Sequence, residues 1–229
     1  MRGAGCTYND IVDRDLDAQV DRTASRPIPS GRITLRKAWV WLAIQLAIGL
    51  MVWLALPWGA KLIALASIPL VAAYPFMKRI TWWPQVWLGL TFNWAVLVAY
   101  AIKTGGLDPA IGLIYVGLAA WTVGYDTIYA LQDIEDDAVI GVRSTARRFG
   151  NRVRLGVGVS YALSVMLITF GLLLSQTPVA ALAALPFAAH LIWQVMQLKS
   201  NAPDRALILF KSNGWAAMLL IAALLLTQL

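Results

Sequence analysis

The sequence predicts an all-α fold, a polytopic bundle of about seven transmembrane helices that forms a single domain over residues 1–229. Hydrophobic residues make up 59% of the chain and charged residues only 14%, whereas about a quarter of a soluble domain is charged. Several apolar runs approach the roughly 20 residues with which a helix crosses a bilayer. The sequence lacks the alternation of polar and apolar residues that is typical of a transmembrane barrel.

Seven apolar runs account for the predicted helices, and short breaks with turn-forming residues separate them. One break is Pro57-Trp58-Gly59, and another covers residues 104–109. Met1–Tyr8 is too short to span a membrane. The predicted spans are Ala38–Leu56, Lys61–Tyr74, Val86–Ile102, Ala110–Leu131, Leu155–Leu174, Val179–Val195 and Leu207–Leu226.

The distribution of positive charge predicts the orientation. Of the 19 lysine and arginine residues, all but Lys61 and Lys103 fall on one side of the predicted bundle. Loops rich in lysine and arginine usually face the cytoplasm in membrane proteins. This bias therefore explains the net charge of +7 better than nucleic-acid binding does. Both acidic motifs described below are then cytoplasmic. We predict a multi-pass protein of a bacterial inner membrane, with a mitochondrial membrane as the alternative.

An acidic stretch, Asn9–Asp17, precedes the first predicted span. Its residues Asn9, Asp13 and Asp17 are spaced i, i+4 and i+8, which places three oxygen-bearing side chains on one face of a helix. Like charges in this arrangement repel one another unless a cation compensates them. Mg²⁺ prefers hard oxygen ligands, often carboxylates together with substrate phosphates. The stretch therefore predicts a magnesium site, and the alternative is a solvated acidic loop.

A second acidic cluster lies within Gly124–Asp137. Asp126, Asp133 and Asp137 are spaced i, i+7 and i+11, which predicts that they also share one helical face. Asp126 falls inside an apolar run, where an aspartate costs about 2.5–3.5 kcal/mol at the helix centre and indicates a functional site. The alternative for Asp126 is an ion pair with a loop arginine. Two carboxylate sets facing each other across a bundle suit metal ions with a diphosphate between them.

These motifs resemble those of a known family. Asn9-x-x-x-Asp13-x-x-x-Asp17 is similar to the first aspartate-rich motif of the UbiA superfamily of intramembrane prenyltransferases, and Asp133-x-x-x-Asp137 is similar to the second. Further stretches resemble the branch that acts on 4-hydroxybenzoate in ubiquinone biosynthesis, and the likeness covers essentially the whole chain. They are Gly3–Asp10, Arg26–Gly31, Tyr74–Arg79, Gly124–Ala130 and Gly141–Ala146.

The resemblance implies a Mg²⁺-dependent transfer of a polyprenyl group from polyprenyl diphosphate to 4-hydroxybenzoate, at the ring carbon ortho to the hydroxyl. It implies that Asn9, Asp13 and Asp17 hold Mg²⁺ on one side of the diphosphate. Asp133 and Asp137 hold it on the other side. The isoprenoid tail would lie between helices, in contact with the lipid bilayer.

The resemblance also implies roles for basic and aromatic residues. Those expected to assist the diphosphate are Lys78, Tyr74, Arg22 and Arg143. Arg22 or Arg26 is expected to bind the carboxylate of the acceptor. Asp126 or Asp133 is expected to orient or deprotonate its phenol.

The chain departs from the family pattern in two places. The family has nine transmembrane helices, and the first motif lies at the cytoplasmic end of the second helix. With seven predicted spans and a motif that begins at Asn9, this chain is expected to lack helix 1 and most of helix 2, which leaves its own activity open. Arg143 stands where a lysine is common, and the two are not interchangeable in geometry. The alternatives are a family enzyme for another acceptor, an ion-coupled transporter and a prenyl-binding protein without catalysis.

Overall fold

The computed structural model describes residues 2–175, 178–199 and 202–227, without the side chains of Arg2, Asp21, Arg22 and Pro178. These residues form helices and connecting turns, and no strand occurs among them. The helices are α1 Arg2–Asp17, α2 Asp21–Ala24, α3 Leu35–Leu54, α4 Trp58–Ala66, α5 Ile68–Ile80, α6 Pro84–Thr104, α7 Pro109–Tyr129, α8 Ile134–Val139, α9 Thr145–Phe149, α10 Val153–Ser175, α11 Pro178–Leu182, α12 Ala184–Gln197 and α13 Pro203–Leu226.

Seven helical segments of the described chain are long and apolar enough to cross a membrane. This number and the all-α fold confirm the sequence prediction. Three of the segments contain two α-helices each, since α4 continues into α5, α9 leads through a 3₁₀ turn into α10, and α11 continues into α12. The segments are Leu35–Leu54, Trp58–Ile80, Pro84–Thr104, Pro109–Gln132, Thr145–Ser175, Val179–Gln197 and Pro203–Leu226.

Local sequence signals set several helix ends. Thr34 caps α3 by accepting a hydrogen bond from the backbone N–H of Lys37, and Asp108 caps α7 by accepting one from Ile111 at 3.0 Å. Both satisfy an N–H group that has no partner within its helix. Gly105 ends α6 at φ 83°, a left-handed conformation that favours glycine. Most predicted span ends agree with the observed ones to within four residues, but the second span ends at Ile80 instead of Tyr74, and the fifth begins at Thr145 instead of Leu155.

Glycines allow α7 to pack very closely against its neighbours. A Cβ on Gly124 would lie 2.2 Å from the ring of Tyr161 in α10, and a Cβ on Gly89 in α6 would lie 2.6 Å from the carbonyl oxygen of Ala119. Small residues permit such close approach between transmembrane helices. Helices α6, α7 and α10 therefore form a tightly packed trunk.

The first helix lies beside this trunk rather than within it. α1 packs on α3 through a small apolar cluster that contains Ala4, Ile11, Ala38 and Leu42, and it also contacts α5. Most apolar side chains of α3 are exposed, for example Trp41 at 55%. α3 therefore has an apolar face that no other described helix covers.

A polar network connects three helices on the other side of the trunk. The hydroxyl of Tyr161 in α10 donates to Oε1 of Gln194 in α12 at 2.5 Å, and Nε2 of Gln194 donates to Oγ of Ser212 in α13 at 2.9 Å. Nε2 of His190 lies 3.2 Å from the same Oγ. The hydrogen-bonding groups of these side chains thus find partners within the bundle, as buried polar groups require.

The second acidic motif does not continue the helix that precedes it. α7 ends at Tyr129, residues 130–132 form a 3₁₀ turn, and Asp133 has φ −112° and ψ 13°. The prediction that Asp126, Asp133 and Asp137 share one continuous helical face is therefore wrong. The turn buries Ala130 and Leu131 in the main core, and this tertiary packing redirects the chain.

Candidate active site

One cavity of about 200 Å³ lies where α1, α5, α6 and α7 meet residues 130–144. Every predicted site residue whose side chain is described lines it. The prediction for Arg22 lies outside the described side chains. The predicted residues at the cavity are Asn9, Asp13, Asp17, Arg26, Tyr74, Lys78, Asp126, Asp133, Asp137 and Arg143.

Asp13 is almost completely buried, with 1% of its surface exposed. Two consecutive basic residues at the end of α5 pair with it. Nζ of Lys78 lies 2.7 Å from Oδ2, and Nη2 of Arg79 lies 3.2 Å from Oδ1. Because a buried carboxylate is unfavourable without a charged partner, these two cations stabilise Asp13 in its position. They also join α1 to α5 at the wall of the cavity.

Arg26 lies in the loop after α2 and forms ion pairs with two aspartates of α1. Its Nη1 lies 2.7 Å from Oδ2 of Asp17 and 3.5 Å from Oδ1 of Asp10. Burial raises the pKa of Asp10, and the nearby Arg26 guanidinium offsets part of that rise. The loop is closed by a hydrogen bond of 2.9 Å from the backbone N–H of Ile33 to the carbonyl oxygen of Pro27. Arg26, a candidate for binding the acceptor carboxylate, is thus engaged with the first motif.

The second motif lines the same cavity as the first. Asp133 and Asp137 both line it, and the backbone N–H of Asp137 donates to the carbonyl oxygen of Asp133 at 2.8 Å, which begins α8. Nη1 of Arg147 donates to the carbonyl oxygen of Asp137 at 3.1 Å. The spacing of four residues therefore places both aspartates at one cavity wall, although the helix there is short.

A tryptophan and two arginines hold the segment that carries the second motif. The guanidinium groups of Arg143 and Arg147 lie 5.8 and 5.4 Å from the ring centroid of Trp82, within the range of cation–π attraction. We call these three residues the Trp82 clamp. The backbone N–H of Arg143 donates to the carbonyl oxygen of Lys78 at 2.9 Å, and its Nη1 donates to that of Ile80 at 2.5 Å. Arg143 thus supports the segment as well as lining the cavity.

Asp126 reaches the cavity from within the α7 span. It lines the cavity together with Tyr74, with which it interacts electrostatically, and with Gln85, whose Oε1 accepts a hydrogen bond from the backbone N–H of Thr145 at 3.0 Å. Among the described side chains, none with a positive charge lies within 4.0 Å of Asp126. The alternative interpretation of this residue, an ion pair with a loop arginine, has no support in the described part of the chain.

The donor atoms at the cavity fit Mg²⁺ in chemical type. They are carboxylate oxygens and one amide, and this ion prefers oxygen ligands. Among the described residues, no three acidic, histidine or cysteine side chains are already grouped closely enough to hold a metal ion. Asp13 and Asp17 are instead paired with Lys78 and Arg26. A metal ion that bound these oxygens would therefore compete with the basic partners of the two carboxylates.

Three residues at or near the site were missed by the sequence analysis. Arg79 directly follows Lys78, so a pair of basic residues at the end of a span was an available signal. Gln85 is a polar residue in the first turn of an apolar span, which is a weaker signal. Trp82 could not be identified as a site residue, because the two arginines that contact it are distant from it in sequence.

Comparison of sequences relates this chain to known proteins over almost its full length. The model of the "UbiA prenyltransferase family" matches residues 1–224. Proteins named "4-hydroxybenzoate polyprenyltransferase, mitochondrial" from Aedes aegypti and Homo sapiens are each 41% identical over 100% of this chain. The chain spans 52% of the length of the mosquito protein and 62% of that of the human protein.

Comparison of structures agrees with the sequence result. The apo structure of a UbiA homolog from Aeropyrum pernix K1 superimposes with a TM-score of 0.85 at 26% identity, covering 100% of this chain and 86% of that one. A structure described as a digeranylgeranylglyceryl phosphate synthase gives a TM-score of 0.69 at 20% identity, covering 97% of this chain and 80% of that one. The second likeness shows a shared fold.

Proposed function

This chain belongs to the UbiA prenyltransferase family, and we propose that it transfers a polyprenyl group from polyprenyl diphosphate to 4-hydroxybenzoate. The product would carry the prenyl group ortho to the hydroxyl, as a step in ubiquinone biosynthesis. Relatives that are 41% identical bear the name of this activity. One observation carries the proposal: both aspartate-rich motifs line the same cavity as Lys78, Arg26 and Asp126.

The motifs and the basic residues would serve the diphosphate. Mg²⁺ bound by the motif oxygens would neutralise the charge that develops on the leaving group. Lys78 and Arg26 leave Asp13 and Asp17 and bind the oxygens of the diphosphate instead. The allylic C–O bond then breaks, which releases diphosphate and leaves an allylic cation. Enclosure by the bundle excludes water, which would otherwise capture that cation.

Asp126 would serve the acceptor. Of the two aspartates considered for this role, Asp133 shares a cavity wall with Asp137 and belongs with the metal-binding set. Asp126 lies within the α7 span and next to Tyr74. It accepts the phenolic proton, which raises the electron density at the ortho carbon. That carbon forms the new C–C bond, and transfer of its ring proton to the released diphosphate restores the aromatic ring.

We further propose that residues 1–229 act as one transmembrane prenyltransferase domain. Both motifs line the same cavity, and the excess of positive charge on one side supports a cytoplasmic location for it. The relatives named above are mitochondrial, so a mitochondrial inner membrane and a bacterial one both fit the chain, and the bacterial assignment remains a prediction.

The test is prenyl transfer in membranes that contain the 229-residue chain. Labelled polyprenyl diphosphate, 4-hydroxybenzoate and MgCl₂ are supplied, and the human relative serves as the positive control. We expect a prenylated aromatic acid that requires added MgCl₂ and disappears in the double variant Asp13→Asn with Asp133→Asn. If only another acceptor, such as a naphthoate, is prenylated, the assigned acceptor is wrong. If the chain prenylates no aromatic compound while the control does, the activity is refuted for this chain.

A further inference from the structure

The short helix that carries the end of the second motif has little packing of its own. α8 covers only Ile134–Val139, and none of these six described residues is buried. Ile134 packs against the main core, but Val139 at the other end is 88% exposed. A helix of this length is not stable in isolation. A contact from outside α8 is therefore needed to hold its C-terminal end.

Arg147 makes such a contact. Asp137 is one of the last four residues of α8, whose carbonyl groups lack a partner within the helix. Nη1 of Arg147 donates to the carbonyl oxygen of Asp137 at 3.1 Å, and it also donates to the carbonyl oxygen of Val142 in the loop that follows. Gly141 has φ 74°, the left-handed conformation with which many helices end. Arg147 thus caps α8 and closes the turn behind it.

The helix that carries Arg147 is itself firmly held. The backbone N–H of Thr145 in α9 donates to Oε1 of Gln85 in α6 at 3.0 Å, and Oγ1 of Thr145 lies 2.5 Å from Oγ1 of Thr127 in α7. Thr145 is completely buried. The guanidinium of Arg147 also lies 5.4 Å from the ring centroid of Trp82. Contacts outside the second motif therefore fix the position of Arg147.

We infer that Arg147 is a positioning residue for Asp137, and through it for the metal ion that the second motif would bind. Asp137 lines the cavity, whereas Arg147 is not among the described residues that do so. Arg147 therefore acts through the backbone of Asp137 and not by touching a substrate. It keeps the carboxylate at the cavity wall before the ion arrives, so that less order has to be gained on binding. This inference rests on the proposed function, in which Asp137 binds Mg²⁺.

Hydrogen exchange in lipid nanodiscs tests the cap without metal or substrate. Arg147→Met removes the guanidinium, and the matched control Arg148→Met removes that of the next residue, which is exposed. Asp137 and Ile140 donate backbone hydrogen bonds within this segment. We expect Arg147→Met to speed the exchange of these two amides by about tenfold or more, the effect of losing a hydrogen bond to a charged group. Arg148→Met should exchange at the wild-type rate.

Arg147→Lys is the conservative variant. It retains a charged donor at this position and should recover part of the protection that Arg147→Met loses. If Arg147→Met does not fold, as judged by its Tm, the comparison of Arg147→Lys with Arg148→Lys decides the question in its place.

A double-mutant cycle tests whether Arg147 acts through Asp137. The MgCl₂ concentration that gives half of the maximal rise in Tm is measured for the wild type, Arg147→Met, Asp137→Asn and the double variant. Arg147→Met should raise this concentration by about tenfold, the lower end of the effect of residues that orient metal ligands. In the Asp137→Asn background it should have little further effect, because the ligand that Arg147 positions is already lost.

The inference is overturned if Arg147→Met exchanges at the wild-type rate, or if Arg148→Met speeds exchange equally. It is also overturned if the effects of Arg147→Met and Asp137→Asn on the MgCl₂ midpoint add, since Arg147 would then act by a route other than Asp137. Failure of the proposed function is a separate result, because it shows as a wild-type chain that neither responds to MgCl₂ nor prenylates any acceptor. In that event Asp137 has no metal to bind, and the inference falls with it.

Discussion

Replacing Lys78 by methionine tests how the cavity stabilises its most enclosed carboxylate. Methionine matches the lysine side chain out to Cε and lacks only the ammonium group, which lies 2.7 Å from Asp13. Loss of one partner from a buried ion pair destabilises by about 3–5 kcal/mol. Arg79 remains 3.2 Å from Asp13, and the Lys78 side chain is itself 26% exposed. We therefore expect a smaller loss, about 2 kcal/mol, which corresponds to a decrease in Tm of about 4–8 °C for a chain of this size.

Mg²⁺ should reverse much of this loss. In the wild type we expect the ion to compete with Lys78 for Asp13, whereas in Lys78→Met the carboxylate has already lost that partner. MgCl₂ should therefore raise the Tm of the variant by more than it raises that of the wild type. The measurement is thermal unfolding in lipid nanodiscs, followed by tryptophan fluorescence during a titration with MgCl₂. KCl at equal ionic strength controls for screening.

Lys103→Met is the matched control, because Lys103 is exposed in the last turn of α6 and does not line the cavity. Its Tm and its response to MgCl₂ should equal those of the wild type. The reasoning is refuted if Lys78→Met unfolds at the wild-type temperature. It is also refuted if MgCl₂ raises both Tm values equally, since Lys78 would then not compete with the metal for Asp13.

Three further substitutions test other parts of the site. Asp126→Ala should lower kcat about 10²–10⁴-fold, the usual contribution of a general base, without changing the MgCl₂ requirement in the prenyl-transfer assay; intact turnover would exclude Asp126 from this role. Asp133→Asn removes one ligand charge and should raise the MgCl₂ concentration for half-maximal rate by about tenfold, so an unchanged midpoint would contradict its assignment to the metal. Trp82→Leu removes cation–π contacts worth about 0.5–1 kcal/mol each and should speed tryptic cleavage after Arg143 and Arg147; an unchanged cleavage rate would mean that the Trp82 clamp does not restrain this segment.

The fold and the membership of the cavity could be predicted because both depend on local properties of the sequence. Apolar runs of sufficient length specify spans regardless of how those spans pack. The spacing of Asn9, Asp13 and Asp17 was informative because α1 is one uninterrupted helix over this stretch. Charged and amide side chains are also rare in a chain that is 59% hydrophobic. Those near the ends of spans were therefore expected to gather at one polar site.

The pairing of charges and the path of the chain at the second motif could not be predicted. Lys78 and Asp13 are distant in sequence, and their contact depends on how α1 lies against α5. The break after Tyr129 is set by the burial of Ala130 and Leu131 in a core built from other helices. The contact between Gln85 and Thr145 likewise requires the relative position of α6 and α9, which no periodicity encodes.

The close packing of Gly124 against Tyr161 has a consequence for the interpretation of sequence variants. Gly124 precedes Asp126 by two residues, and any side chain there would push α7 away from α10. Such a change would shift Asp126 relative to the carboxylates of α1, which belong to a different part of the bundle. An activity screen would then score Gly124 as if it took part in the reaction, although it contacts no substrate. Substitutions at this position therefore need a measurement of folding beside the measurement of turnover.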